Sequence, residues 1–263
     1  MEVVNFRVGE RIVAFNILNI LLTEKFDDAQ TSMPSEDASF LGIKDFMGEP
    51  IPIYDLGLAM NKESTKQYNL SLIELFHQKE REHTEWLDSL EESVQNNTPF
   101  TKTTEASQSS FSKWYEGFET KNEDLLDVLK KIEEPNKKLY SVAHQVLSLG
   151  AEGKTEEAAK LIDQTKASTL AILKRLYQAA REQVDVAYKP VTVFTTTDGQ
   201  KPCLGFVVDK VEDSLHVTED QVRQLSSLDM HVGQIDHRVK EMITSLITTG
   251  EKNSLLLKPE AFL

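Results

Sequence analysis

The sequence places an acidic side chain and a metal-ligating side chain three residues apart, at Glu80 and His83. Carboxylate-bridged di-iron helical bundles use this Glu-x-x-His spacing, but they need a second such pair and two further glutamates. The spacing recurs only at Glu74 and His77 of the same predicted helix, and the other imidazole of the region, His144, has no glutamate three residues before it. Because a lone histidine on a helix is more often held by a hydrogen bond, a replacement metal site is an alternative here.

Motifs of common enzyme classes are missing from the sequence. It contains no glycine-rich phosphate loop, no nucleophile elbow and no paired histidine-glutamate zinc motif. Its single cysteine, Cys203, excludes an intramolecular disulfide and any multi-cysteine metal site. We therefore predict a protein that is not an enzyme and needs no cofactor.

The charge and hydropathy of the sequence restrict the kinds of partner that the protein is expected to bind. The formal net charge is -14, and no run of Lys and Arg could neutralise a phosphate backbone. The N-terminus lacks the basic and then apolar regions of a signal peptide. No stretch approaches the roughly 18 apolar residues of a membrane-spanning helix. We expect a soluble, cytoplasmic protein that neither binds nucleic acid nor inserts into a membrane.

The elements that position these residues fall into three pieces. Residues 1–66 and 187–263 have the period-two alternation of strands, with turn signals at Gly9-Glu10 and Asp198-Gly199. Lys44 to Gly48 is interpreted as a loop between strands. The two β regions together predict one interrupted domain, because the first is too short to bury a core alone. Three independent pieces in a row are the alternative.

Residues 67–186 have helical periodicity, and we predict four helices there. The first carries His83, and the second carries Trp114 and is broken near Gly117. The third begins at Pro135, since a missing N–H is tolerated in a first turn. The fourth runs from about Thr155 to Val184. Short links between four helices favour an antiparallel bundle.

The β regions resemble the CheW-like domain of chemotaxis coupling proteins. Four stretches, in the family's order, carry the resemblance: Phe6 to Arg11, Leu41 to Leu56, Leu204 to Val211 and Leu255 to Glu260. The resemblance implies an α+β fold in which a CheW-like pair of small five-stranded β-barrels is interrupted by the four-helix bundle.

The same resemblance implies a partner-binding surface at Lys44, Asp45, Met47 and Glu49. The family usually carries an Arg before the second Gly of this loop, where Met47 stands here. Contact with the usual partners would then use a different face. Asp55 and Asp209 end β runs, and we expect both to cap a turn or a helix start.

The helical region resembles the chemoreceptor zinc-binding domain, whose site uses three histidines and one cysteine. Three stretches fit its motifs: His83 to Trp86, Ser109 to Tyr115 and Pro135 to Tyr140. Carried over by position, His83 keeps its ligand role. Ser109 replaces the cysteine, and Asn136 and Tyr140 replace histidines. Zinc prefers four N or S donors, so the resemblance implies a site that no longer binds zinc.

The function implied is that of a signalling adaptor linking chemoreceptors to a CheA-like histidine kinase. The helical region would be a regulatory or interaction module, and an oligomer could form through it. The alternative is a metal- or ligand-sensing bundle that signals through the CheW-like barrels.

Overall fold

A computed structural model describes residues 1–225, 237–250 and 252–262 of the chain. The fold has two compact units. Met1–Tyr68 and Tyr188–Leu263 form the β unit, and Asn69–Ala187 form the helical unit. Among the described residues, no helix combines the length and the apolar character that crossing a bilayer requires.

The β unit contains two sheets and short helices. Its strands are β1 (Glu2–Val8), β2 (Arg11–Asn16), β3 (Ile20–Lys25), β4 (Phe40–Phe46), β5 (Glu49–Asp55), β6 (Val191–Thr196), β7 (Pro202–Val208), β8 (Lys210–His216), β9 (Val222–Gln224), β10 (Ile243–Thr249) and β11 (Lys252–Leu257). Its α-helices are α1 (Leu56–Asn61) and α7 (His237–Met242).

Each sheet mixes strands from both ends of the chain. One has the order β8-β1-β2-β11-β10-β9, and the other has the order β3-β6-β7-β5-β4. The first hairpin, β1–β2, is antiparallel with Val8 opposite Arg11, as the Gly9-Glu10 turn signal predicts. Because strands from the two ends are hydrogen-bonded in both sheets, the alternative of three independent pieces is wrong.

The prediction of two five-stranded barrels needs correction. Two sheets are present, but one has six strands, because the three-residue β9 adds to β10 through Val222 to Gln224. Such a short strand carries no periodicity that a sequence pattern could detect. Within the described part of the chain, the end strands of each sheet do not pair with each other, so neither sheet closes into a barrel.

Alternation along the strands divides the apolar residues of the β unit among three clusters. In β1, Phe6 and Val8 belong to a large cluster shared by both sheets, whereas Val3 belongs to a small cluster of the six-stranded sheet. In β6, Val193 joins the shared cluster and Phe194 joins a small cluster of the five-stranded sheet. Both sheets are therefore apolar on two faces, with the largest core between elements from the two chain ends.

The helical unit is built on three long helical segments and one short helix. Its elements are α2 (Thr65–Gln95, which begins in the β unit), α3 (Ser110–Tyr115), α4 (Glu123–Ala151), α5 (Thr155–Thr165), a π-helical turn (Lys166–Leu170) and α6 (Ala171–Ala187). One apolar core, rich in leucine and aromatic residues, connects them.

The predicted helix start at Pro135 is wrong. Pro135 lies inside α4, so the second and third predicted helices are largely one helix, preceded by the separate short α3. An interior proline costs about 3 kcal/mol because it removes one backbone hydrogen bond. The buried stripe of α4 continues across it, from Leu129 and Ile132 to Leu139 and Ala143. Burial of several apolar side chains at about 1.5–3 kcal/mol each outweighs that cost.

Gly42 of β4 is the glycine on which the five-stranded sheet depends most directly. Its φ is +134°, and an added Cβ would collide with the backbone carbonyl of Thr31. That carbonyl accepts a hydrogen bond from Ile43 N at 3.0 Å, and Thr31 N donates to Ile43 O at 2.8 Å. Only a residue without Cβ allows this approach between the two backbones.

Gly42→Ala is predicted to destabilise the β unit by about 2–4 kcal/mol, through backbone strain and loss of the Thr31 bridge. Gly48→Ala is the matched control: its φ is also positive, at +80°, but an added Cβ meets nothing within 4 Å. It should cost only about 1 kcal/mol. Urea unfolding measures both, and equal losses would contradict the proposed collision.

Candidate functional site

The predicted partner-binding residues lie together at the tip of the β4–β5 hairpin, here called the hairpin tip (residues 44–49). Met47 and Gly48 have φ of +57° and +80°, as in a two-residue type I′ turn. The prediction of a loop from Lys44 to Gly48 is therefore wrong at its start, because Lys44 and Asp45 pair with Ile51 and Pro50 within the sheet.

The hairpin tip is asymmetric in what it offers a partner. Lys44 is held by ion pairs to Glu24 and, at 3.1 Å, to Asp27. Burial alone would lower the pKa of Lys44, but the two carboxylates outweigh it and raise that pKa. Met47 is 70% exposed, and Asp45 and Glu49 are also exposed. The tip therefore presents an apolar side chain between two acidic residues, while its lysine is bound within the fold.

Three of the four positions implied for zinc meet in the core of the helical unit. His83 Nε2 lies 2.8 Å from Oδ1 of Asn136, and the Asn136 amide nitrogen lies 3.2 Å from the Ser109 hydroxyl. All three side chains are almost fully buried. Tyr140 lies against His83 edge-on, with ring centroids 6.3 Å apart. We call His83, Ser109, Ser112 and Asn136 the polar network.

The position of each side chain on a helix face or at a helix N-cap explains its place in the polar network. His83 lies on the buried face of α2, seven residues after Phe76 and four before Leu87. Asn136 continues the buried stripe of α4. Ser109 is the N-cap of α3, where its hydroxyl accepts from Ser112 N at 3.1 Å.

The polar network satisfies itself with hydrogen bonds. His83 Nδ1 lies 2.8 Å from the carbonyl of Lys79, one turn earlier in α2, and donates to it. Asn136 also lies 3.1 Å from the Ser112 hydroxyl, and Ser109 bonds Ser112 at 3.0 Å. His83, Ser109 and Asn136 thus each have protein hydrogen-bond partners in the described structure.

The protonation state of His83 fixes the direction of these bonds. Burial is the largest influence on its pKa and lowers it, which favours the neutral ring. A neutral ring with its proton on Nδ1 has a lone pair on Nε2, so Asn136 must donate to it from its NH₂ group. The amide oxygen then accepts from one of the two serine hydroxyls, while the other hydroxyl proton joins Ser109 and Ser112. This exchange of amide N and O leaves the side-chain shape unchanged.

Sequence reasoning missed two neighbours of the polar network. Lys79 is buried and pairs with Glu82 at 3.4 Å and with the Ser110 hydroxyl. Tyr177 of α6 is fully buried, with its hydroxyl 3.5 Å from His83 Nδ1. The four-residue spacing of Lys79 before His83 could have indicated the first neighbour. Nothing in the sequence pairs Tyr177 with a residue 94 positions away.

Burial also keeps the surrounding phenols neutral. It raises the pKa of Tyr140 to about 12 and raises that of Tyr177 further. Neutral phenols, hydroxyls and amides are weak metal ligands. Across the part of the chain that the structure describes, no three His, Cys, Asp or Glu side chains converge as a metal site would require.

Comparison with known proteins shows similarity to solved structures. No protein-family model matches the sequence, and no curated protein matches it significantly. A solved structure, the scaffolding protein TtCheW from Thermoanaerobacter tengcongensis, aligns over 98% of this chain and 88% of its own, with 12% identity and a TM-score of 0.42. A TM-score at this level does not define a common fold, so function is argued below from residues and geometry.

Asn136→Leu is predicted to destabilise the helical unit by about 2–4 kcal/mol, because it leaves His83 Nε2 and two serine hydroxyls without their shared buried partner. Lys138→Leu, on the exposed face of the same helix, is the control and should change stability by about 0.5 kcal/mol or less. Urea unfolding measures both. Wild-type stability of Asn136→Leu would contradict the contribution assigned to the polar network.

Proposed function

We propose that the chain is a non-enzymatic signalling adaptor of the CheW-like kind, whose β unit docks a CheA-like histidine kinase and a chemoreceptor. The observation that carries the proposal is how the four resembling stretches pair. Arg7 lies opposite Lys210, and Ile53 lies opposite Gly205. Leu255 of the last stretch pairs with Val13 of β2, the strand that follows the first stretch. Stretches about 150 to 240 residues apart thus pair within the sheets of one β unit.

The hairpin tip is the docking surface that this proposal favours. Its Met47 side chain is 70% exposed, and the two-residue turn holds it at the end of a paired hairpin. The backbone of a paired two-residue turn loses little conformational freedom on binding, which favours the use of its exposed apolar side chain as an anchor. An apolar anchor in place of the family's arginine implies a partner pocket of matching apolar character.

Met47→Asp is predicted to weaken binding to the regulatory domain of the cognate kinase by about tenfold or more, because it places a charge in an apolar contact. Met33→Asp is the matched control, since Met33 is also an exposed methionine of the β unit, 49% accessible. Calorimetry on the full chain measures both.

Two results would contradict the proposal at different levels. No wild-type binding, under conditions where an ordinary coupling protein binds, would remove the adaptor function. Wild-type affinity of Met47→Asp would move the docking surface to another face of the β unit.

For the helical unit, we propose a regulatory or interaction module resembling a chemoreceptor zinc-binding domain whose site is replaced by the polar network. Its support is the closed set of hydrogen bonds among His83, Ser109, Ser112 and Asn136. The second candidate is a metal-sensing function. It would require these hydrogen bonds to break so that the side chains could bind a metal ion. The buried His83, which meets two further positions of the resembling motif, Asn136 and Ser109, keeps that candidate open to test.

Zinc is predicted to leave the melting temperature of the wild-type chain unchanged. The variant Ser109→Cys, Asn136→His, Tyr140→His restores four N and S donors around His83, and zinc should raise its melting temperature. The same variant with His83→Ala is the control and should respond less. One tightly held zinc per wild-type chain, measured by elemental analysis without an affinity tag, would favour the sensor instead.

A further inference from the structure

Two carboxylates, the buried Asp209 and the partly buried Asp55, end neighbouring parallel strands of the β unit. Tyr54 pairs with Phe206, so Asp55 at the end of β5 and Asp209 just after β7 emerge at the same edge of the sheet. Asp209 is 7% exposed. Asp55 caps α1, accepting from Leu58 N at 2.9 Å, as the sequence predicts for a carboxylate at this place.

Both carboxylates also hold the start of α2. The Ser64 hydroxyl, one residue before α2, donates to Asp55. The Thr65 hydroxyl, on the first residue of α2, donates to Asp209 Oδ2 at 3.0 Å. The same Asp209 oxygen accepts from Gly9 N in the β1–β2 turn at 2.5 Å. Ser64 and Thr65 are thus fixed to two strand ends and one turn.

We propose that Asp55 and Asp209, with Gly9, Ser64 and Thr65, form a proton-operated latch on the start of α2, which tightens when the carboxylate pair takes up a proton and loosens when both are ionised. The latch lies wholly within the β unit, since α2 belongs to that unit as far as Tyr68. Residues after Tyr68 continue the same helix to Gln95.

The charges around Asp209 favour a latch that tightens when the carboxylate pair takes up a proton. Burial is the largest influence and, together with the negative charge of Asp55, raises the pKa of Asp209 to about 6. The hydrogen bonds from Gly9 and Thr65 and the guanidinium of Arg7 act in the opposite direction without offsetting it. Arg7 is itself paired with Glu212 at 2.7 Å.

The remaining groups that face the pair do not compete for the proton. Burial raises the pKa of the Asp55 carboxyl as well. Tyr188, before β6, has a pKa raised first by burial and then by Asp209, Asp55 and Asp28, so its phenol stays neutral. The proton exchanged near neutral pH therefore belongs to the carboxylate pair.

The raised pKa of Asp209 determines how the stability of the closed latch changes with pH. A closed latch binds a proton more tightly than an opened, hydrated one, so the closed form gains stability as pH falls. The gain is complete below the ordinary carboxyl pKa of 3.8 and is lost as pH rises through about 6. As pH falls between these values, the equilibrium constant for closing the latch should rise by up to about tenfold per pH unit, or about a hundredfold in all.

The test is amide hydrogen exchange on the full chain from about pH 8 to about pH 5, corrected for the intrinsic pH dependence of exchange. The amides of Gly9 and of Tyr68, which donates to Ser64 O at 3.0 Å, report the latch. Their protection should start to rise as pH falls through about 6 and should be up to about tenfold higher by about pH 5. Amides of the β10–β11 pairing serve as the reference and should not follow that profile.

Two variants separate the latch from general acid effects. Asp209→Asn keeps an oxygen that can accept both bonds, and it should hold protection near its low-pH level at every pH. Asp55→Asn keeps a good helix cap but removes the neighbouring charge, so the rise in protection should start at lower pH. If either variant folds poorly, the carboxyl carbon shift of Asp209 in the wild-type chain gives the midpoint of its titration directly, which should lie near 6. A pH-independent wild-type profile, or a full response in Asp209→Asn, would overturn the latch.

Discussion

The parallel pairing of β5 with β7 is the constraint on which the rest of the structure depends. Ile53 to Asp55 and Gly205 to Val207 are joined there across about 150 residues of sequence. Gly205 allows this contact, because an added Cβ would collide with the Ile53 side chain and crowd Thr192. A strand pairing between residues so far apart forms only when the loop-closure cost is offset by a shared core. The aromatic contacts of Phe206 with Phe15 and Phe262 supply part of that core.

The same pairing explains how one chain accommodates a helical unit of 119 residues, Asn69–Ala187. The β unit closes through strands on both sides of the insertion, so its stability does not require a direct sequence link between β5 and β6. Asp55 and Asp209, carried to one edge by the pairing, fix the residues from which α2 departs. Long insertions are tolerated at positions of this kind, where the flanking backbone is already held in place.

The helical unit shows how a core can retain polar residues without a ligand. His83, Asn136 and Ser109 are buried as deeply as their leucine neighbours, and each has a hydrogen-bond partner. A partly satisfied polar group would cost about 1–3 kcal/mol, whereas a closed set is nearly neutral and fixes how the helices align. Lys79 and Tyr177 extend the same arrangement and complete the surroundings of the imidazole.

Local chemistry made part of this structure predictable. The Gly9-Glu10 and Asp198-Gly199 signals gave the hairpin turns, because glycine at positive φ and an aspartate that accepts from Gln200 N and Lys201 N act over a few residues. Three of the four positions carried over from the zinc-binding resemblance also meet in space, since helical periodicity fixes which face each one occupies.

Tertiary packing decided the features that the sequence did not predict. Pro135 continues α4 because the buried stripe around it outweighs its local preference for a helix start. Lys44 and Asp45 join β4 because β5 offers partners across a two-residue turn. The sixth strand of the larger sheet and the approach of Tyr177 to His83 depend on contacts that no local pattern encodes.

If this β unit couples a chemoreceptor to a histidine kinase, as proposed, receptor control of the kinase should depend on the chain in a reconstituted system. The measurement is the rate of kinase autophosphorylation in receptor-containing membranes, with and without the full chain. The account predicts that receptor control of that rate appears only when the chain is present. Equal rates with and without the chain, in an assay where an ordinary coupling protein restores control, would contradict the account.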